Sequence, residues 1–175
     1  TCALPICAGL LRTAERYLKP ADDSLLQARE TQRETMDQRL IDNAAACGLR
    51  PGMDLRQAVE QRFESGLWAD FAADCVECGA CNFICCTCHC FLLADGLDAQ
   101  GNPARCMQWD SCLFPGFART AGGNPRPKRA QRLRNRFDKK FIFFPQEVGH
   151  YACDGCGRCT EACIGKIDIR EVLKR

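Results

Sequence analysis

Apolar positions are sparse in the first third of the chain and are spaced for helices. Between Asp22 and Ala46 only Leu25, Leu26, Met36, Leu40, Ile41 and Ala44 can pack, and Gln27 to Thr35 is almost wholly polar. Asp22, Asp23 and Ser24 offer capping groups, Gly48 is placed to end the segment, and Arg50-Pro51-Gly52 forms a turn. A helix with so little apolar surface is largely solvated or covers a partner. Asp54, with Gln57 three residues on, makes a capping-box start for a second helix through Phe63. Ser65 can begin a third, containing Leu67, Trp68 and Phe71, which delivers the chain to Cys75.

From Cys75 to Cys90 hydrophobic periodicity carries no signal, because thiols that serve as ligands do not mark a core. Asp95-Gly96, Gly101-Asn102-Pro103 and Gly122-Gly123-Asn124-Pro125 mark turns in a connecting region without sustained alternation, so no sheet is expected there. Arg126 to Phe144 then carries Leu133, Phe137, Phe141 and Phe144 near a one-face helical spacing, with Pro145 expected to stop the helix. Trp68 and Trp109 are expected in the core. The pattern as a whole predicts a mainly α chain.

Composition changes this picture in one respect. Sixteen cysteines in 175 residues is a density that means either a disulfide scaffold or bound metal. The opening Thr1-Cys2-Ala3-Leu4-Pro5-Ile6-Cys7 lacks a basic leader and is interrupted by proline. The longest apolar runs, around Phe91-Leu92-Leu93 and Phe141-Ile142-Phe143-Phe144, fall far short of the roughly 18 to 20 residues of a membrane span. A reducing, cytoplasmic setting without a membrane span is therefore expected, and it favours metal. Net charge is +2, yet Arg126 to Lys140 alone holds eight basic residues against one acidic. Bound clusters would add roughly two negative charges each and make the whole acidic, which argues against a general nucleic-acid binder. A solvated or docking face is the expectation for the basic stretch. Its aromatics are spaced for packing rather than for base stacking.

Spacing decides what the cysteines do. Cys75, Cys78, Cys81 and Cys85 form a C-x2-C-x2-C-x3-C run, and Cys153, Cys156, Cys159 and Cys163 repeat it. Three thiolates two residues apart can reach three irons of one cube while loop amides point at its sulfides, and Gly79, Gly155 and Gly157 permit close approach. In two-cluster ferredoxins the fourth cysteine of each run ligates the other cluster. On that scheme one 4Fe-4S cluster takes Cys75, Cys78, Cys81 and Cys163, and the second takes Cys153, Cys156, Cys159 and Cys85. Zinc is the main alternative, in a structural interaction or nucleic-acid-binding module, although zinc has no use for a repeated triple spacing. Disulfides suit the crowded Cys85, Cys86, Cys88 and Cys90 poorly. A C-x2-C thiol oxidoreductase lacks its βαβ surroundings.

Eight cysteines lie outside the two runs. Cys88, Cys90, Cys106 and Cys112 could jointly hold a third metal centre, although their spacing matches no standard cluster motif, and buried thiols are the plainer reading. Cys2, Cys7 and Cys47 carry less signal, and His89 is taken as incidental. No nucleophile with a base, no phosphate-binding glycine loop and only two histidines are present, so the chain should carry electrons rather than act as an enzyme on its own.

The stretch from Leu67-Trp68 to Cys75, followed by C-V-E-C-G-A-C-N-F-I-C and T-C-H-C, resembles the 4Fe-4S dicluster domain of anaerobic sulfite reductase and sulfhydrogenase electron-transfer subunits. Trp109-Asp110-Ser111-Cys112, Phe114-Pro115 and Arg119 to Gly123 are similar to that family's central stretch, and Phe144-Pro145 through Cys163 to Ile169 to its closing motif. The resemblance runs from about Trp68 to Arg170. It implies a helical ferredoxin-like core that relays electrons, in a hetero-oligomer, between a flavin-containing subunit using a nicotinamide cofactor and a catalytic oxidoreductase subunit. The chain departs from the pattern at Cys86 and Ile164, where the family has proline, the second less regularly. Longer members carry a substantial preceding domain, where this chain has mostly the polar helix. The expected organisation is a helical, partner-docking extension over 1–66 and the dicluster domain over 67–175. An independent soluble ferredoxin is a further alternative.

Overall fold

In the computed structural model, which describes residues 12–17 and 19–174, the polar stretch after Asp22 becomes one 24-residue helix, α1 (Asp23–Ala46). Asp22 caps it as the sequence suggests, its Oδ1 accepting from the Leu25 N–H at 2.9 Å and the Ser24 hydroxyl at 2.7 Å. No α1 residue is buried, and Leu25, Leu26, Met36, Leu40 and Ile41 are exposed. The chain divides into two units, Thr1–Ala45 and Ala46–Arg175. In the first, a short 3-10 turn, Glu15–Tyr17, precedes α1. Both cysteine runs lie in the second.

The second unit begins earlier than the 66/67 boundary expected from sequence, because the helix capped by Asp54 belongs to its core. That helix, α2 (Leu55–Glu60), receives its cap through a 3.0 Å bond from the Gln57 N–H to Asp54 Oδ1, and buries Val59. Next come α3 (Leu67–Asp74), which leads to Cys75, and the one-turn α4 (Ala80–Phe83). A long basic helix, α5 (Arg129–Asp138), runs through the middle of the unit, and α8 (Ile169–Lys174) closes it. Trp68, Leu113, Leu133, Phe137, Phe141, Val172 and Leu173 form the centre of the core. Leu133, Phe137 and Phe141 fall on one face as their four-residue spacing requires. Phe137 stacks on Phe141 at 6.1 Å between ring centroids, and tilted contacts extend the row to Trp68, 5.3 Å from Phe137, and Tyr151, 5.7 Å from Phe141.

Three expectations are corrected here. Pro145 does not stop the basic helix. The chain passes through a π-helical turn, Lys139–Phe143, in which the Phe144 N–H reaches back to the Lys139 carbonyl, and continues as α6 (Phe144–Val148). Pro145 is tolerated because the π-turn shifts the ladder there, and the Lys140 carbonyl next in register accepts instead from the Ala152 N–H at 3.0 Å. The end comes at Gly149, whose left-handed φ of 79° closes the helix.

The connecting region does contain a sheet, an antiparallel hairpin of β1 (Phe91–Leu97) and β2 (Pro103–Trp109), with Phe91 opposite Trp109 and Leu97 opposite Pro103. Its turn is held by Asp98, whose Oδ1 accepts from the N–H groups of Gln100 and Asn102. Alternation failed to reveal the hairpin because neither face packs against a core, so apolar and polar residues are mixed on both. For the same reason Trp109 is exposed rather than buried, as are Leu93, Leu97 and Met107.

Candidate metal centre

The loops Cys75–Cys81 and Cys153–Cys159 fold as copies of each other. Each turns left-handed at its third residue, Glu77 with φ 58° and Gly155 with φ 71°, and again at its fifth, Gly79 with φ 73° and Gly157 with φ 76°. A one-turn helix then follows, α4 in the first copy and α7 (Arg158–Glu161) in the second. Left-handed residues set between right-handed ones turn successive N–H groups toward one side and make a concavity suited to an anion. Within each copy the N–H of the third residue meets the thiol of the first cysteine, Glu77 to Cys75 and Gly155 to Cys153. Burial pushes Cys75 and Cys153 above the ordinary thiol range and Cys81 up to about 11. These thiols would stay protonated until a metal bound the sulfur and displaced the proton to solvent, which is the behaviour of structural ligands.

The exits of the two loops are exchanged. Two residues after Cys85, the Thr87 hydroxyl donates to the carbonyl of Ala152, the residue before Cys153, at 2.6 Å. Two residues after Cys163, Gly165 lies so close to Asp74, the residue before Cys75, that a Cβ on it would collide with the Asp74 carbonyl oxygen. Helices α4 and α7 pack side by side. The charge of Cys163 reaches both Cys75 and Cys81, and the Cys86 thiol donates to Asp154 Oδ2 of the second loop at 3.5 Å. The segment that follows each fourth cysteine thus touches the opposite loop, Thr87 at Ala152 and Gly165 at Asp74, without a proline at either exit.

The basic stretch is largely turned inward, against the expectation of a solvated or docking face. Arg132, Arg136 and Lys140, four residues apart, are each more than nine-tenths buried. Arg129 Nη1 donates to the Cys75 carbonyl at 2.7 Å, and Arg132 pairs with Glu77 while donating to the carbonyls of Leu113, Arg126 and Pro127. Arg136 Nη2 donates to the Cys81 carbonyl at 3.3 Å, and its guanidinium also meets the Cys159 thiol. Lys140 Nζ donates to Cys85 Sγ at 3.1 Å, Thr87 Oγ1 at 2.9 Å and the Ala152 carbonyl at 3.0 Å. Bonds from the Cys88 thiol, Thr87 and Lys140 hold Cys85 down to about 3, so it favours the thiolate. The four-residue spacing of these cations was readable in the sequence, but their inward direction was not.

Asn82 was missed by sequence reasoning. It is buried, gives its amide N–H groups to Ser111 Oγ at 2.9 Å and Cys112 Sγ at 3.2 Å, and accepts from Arg136 Nε at 3.1 Å. A lone asparagine among cysteines carries no signal in a sequence, although Ser111 and Cys112, which bind it, lie in the Trp109-Asp110-Ser111-Cys112 stretch singled out above. The hairpin leaves after Cys90 and returns before Cys112, bringing those two thiols into hydrogen-bonding contact, with Cys112 lowered to about 6 by Cys90 and Asn82.

Cys88, Cys90, Cys106 and Cys112 are not brought together as one centre. Cys88 is engaged with Cys85 and Asn82, Cys90 with Cys112, and Cys106 is exposed on β2 opposite Ala94. Among the described residues no three Cys, His, Asp or Glu side chains converge as they would on a single ion. Cys2 and Cys7, with the rest of the Thr1–Cys7 stretch, lie outside the described residues. Among those residues no helix is long and apolar enough to cross a membrane.

Comparison with known proteins agrees with the loops. The 4Fe-4S dicluster domain family matches residues 74–167. The β subunit of sulfhydrogenase 2 from Pyrococcus furiosus is 38% identical over 120 residues, which are 68% of this chain and 35% of that protein. The chain thus spans about a third of that relative's length. No solved structure matches.

Proposed function

The chain belongs to the 4Fe-4S dicluster domain family, and from that premise we propose that it relays single electrons through two clusters as the iron–sulfur subunit of a hetero-oligomeric oxidoreductase. The observation that carries this reading is the exchange of exits, Thr87 against Ala152 and Gly165 against Asp74, between two loops of identical left-handed pattern. Cys75, Cys78, Cys81 and Cys163 would hold one cluster, and Cys153, Cys156, Cys159 and Cys85 the other. When bound, the clusters supply one-electron chemistry at potentials set by hydrogen bonds to sulfur, charge and solvent exposure. The chain's own part is to fix the thiolates, aim N–H groups at them, and keep water from Cys75 and the inward side of each loop.

The likeness to a sulfhydrogenase β subunit supports partners in a hetero-oligomer; on the resemblance drawn from the sequence these would be a flavin-containing subunit that uses a nicotinamide cofactor and a catalytic oxidoreductase subunit. The stretch before Asp54, with α1 and its exposed Leu25, Met36, Leu40 and Ile41, would dock one of them. A cytoplasmic, anaerobic setting suits exposed cluster ligands such as Cys78 and Cys156.

The test is iron, zinc and acid-labile sulfide content of anaerobically purified protein, with electron paramagnetic resonance after reduction. About eight irons and coupled reduced-cluster signals are expected. Cys75→Ser and Cys163→Ser should damage the same cluster, and Cys156→Ser the other. Zinc without sulfide would make the chain a structural or binding module instead.

A further inference from the structure

We propose that Arg136 and Lys140 are positioning charges that set how readily the chain accepts electrons, Arg136 acting on both clusters and Lys140 only on the one that takes Cys85. The inference rests on the dicluster reading. Both side chains are nearly inaccessible, 4% and 3% exposed, yet neither forms an ion pair with Asp or Glu among the described residues. Their neighbours on the same helix differ: Arg132 pairs with Glu77 and Arg134 with Asp138. A buried cation without a carboxylate is costly unless other negative charge lies beside it. What lies beside these two is thiol and carbonyl from the cysteine loops.

Their positions differ in a way that separates their effects. Arg136 straddles the loops, with the Cys81 carbonyl of the first on one side and the Cys159 thiol of the second on the other. Asn82 fixes its direction: Ser111 and Cys112 take the amide N–H groups, so the amide oxygen must face Arg136 Nε. Lys140 spends three bonds at one place, on Cys85, Thr87 and Ala152. Reduction adds one negative charge to a cluster, and a fixed cation in a poorly hydrated surrounding stabilises that charge strongly. Arginine keeps its proton at any pH the protein survives, so the effect of Arg136 does not switch off.

The experiment is an anaerobic redox titration of the loaded protein, followed by electron paramagnetic resonance, on wild type, Arg136→Gln, Lys140→Gln and Lys140→Arg. Lys140→Gln should move one of the two reduction steps to more negative potential, with at least a tenfold fall in the reduced-to-oxidised ratio at fixed potential, or 59 mV for one electron. Arg136→Gln should move both, and Lys140→Arg should restore the wild-type value. If either Gln variant fails to hold its iron, Asn82→Asp, of the same size but without the amide donors to Ser111 and Cys112, places a carboxylate against Arg136 and should lower both steps. Two loaded clusters whose steps do not move in the loaded variants would overturn the proposal and leave the dicluster reading intact. Wild-type protein without iron and sulfide would instead overturn the reading and the proposal with it.

Discussion

The first loop makes its left-handed turn at Glu77, whereas the second makes the same turn at Gly155. Glycine adopts that conformation at no steric cost, but a residue with a Cβ pays about 1 kcal/mol or more. Glu77 is held there by Arg132, which is itself fixed by three carbonyls around the start of α5. The first loop therefore leans on the basic helix for its shape, and the second holds its shape largely by itself. The exits differ in kind as well. Thr87 reaches the opposite loop with a hydrogen bond, while Gly165 reaches it by having no side chain at all. Identical backbones thus arise from unlike causes, and substitutions at matching positions should have unlike costs.

The largest effect is expected at Gly165. A Cβ there meets backbone rather than a side chain that could swing aside, so Gly165→Ala should cost about 3 kcal/mol or more, or prevent loading of the cluster beside Cys75 and Cys163. Thermal loss of visible absorbance and the iron count would show it. A fully loaded, equally stable variant would disprove the close exit contact.

Glu77 should come next. Glu77→Gln leaves Arg132 buried without its carboxylate and should destabilise the first loop by about 1–3 kcal/mol, with the second loop unaffected. Glu77→Gly loses the same pair but regains the backbone cost, and should be milder than Glu77→Gln by about 1 kcal/mol. Chelator-driven iron release, compared between the two variants, measures that difference. Equal rates would remove backbone strain from the account of the first loop.

A smaller effect is expected at Asp138, a charge on α5 that contacts neither loop. Burial raises its carboxyl to about 6 despite Arg134 and Arg126 nearby, and its Oδ1 has no hydrogen-bond partner. A carboxylate whose folded pKa lies above the unfolded value favours the folded state at low pH, and loses that contribution as pH rises through about 6. Asp138→Asn should accordingly stabilise the chain by about 1 kcal/mol at pH 8, with the gain shrinking toward pH 5. Melting temperatures at the two pH values check the sign. A gain that grew on acidification would contradict it.

Much of the site was legible because metal ligation demands residue types at fixed spacing. The two cysteine runs, the glycines at 79, 155 and 157, the Asp54 cap and the Leu133, Phe137, Phe141 face all follow local rules that a sequence displays. The hairpin was hidden because strand alternation is visible only when one face is buried, and β1 and β2 bury neither. Asn82 was hidden because a single amide has no periodicity. The basic stretch was misjudged because charge in a sequence favours solvent unless something buried is known to receive it. Here the cysteine loops receive it, the first some 55 residues back along the chain and the second beginning just beyond Ala152, 12 residues after Lys140.

What the sequence determined by itself was the chemistry: eight thiols in two like runs, helices before and between them, and the family to which that pattern belongs. What only the tertiary structure decided was the pairing of distant groups. Thr87 with Ala152, Gly165 with Asp74, Arg132 with Glu77 and Lys140 with Cys85 are contacts between segments far apart in sequence. Ligand spacing and helix faces are fixed by bonds within a few residues. The direction of a buried charge is fixed by whichever surface the core brings against it.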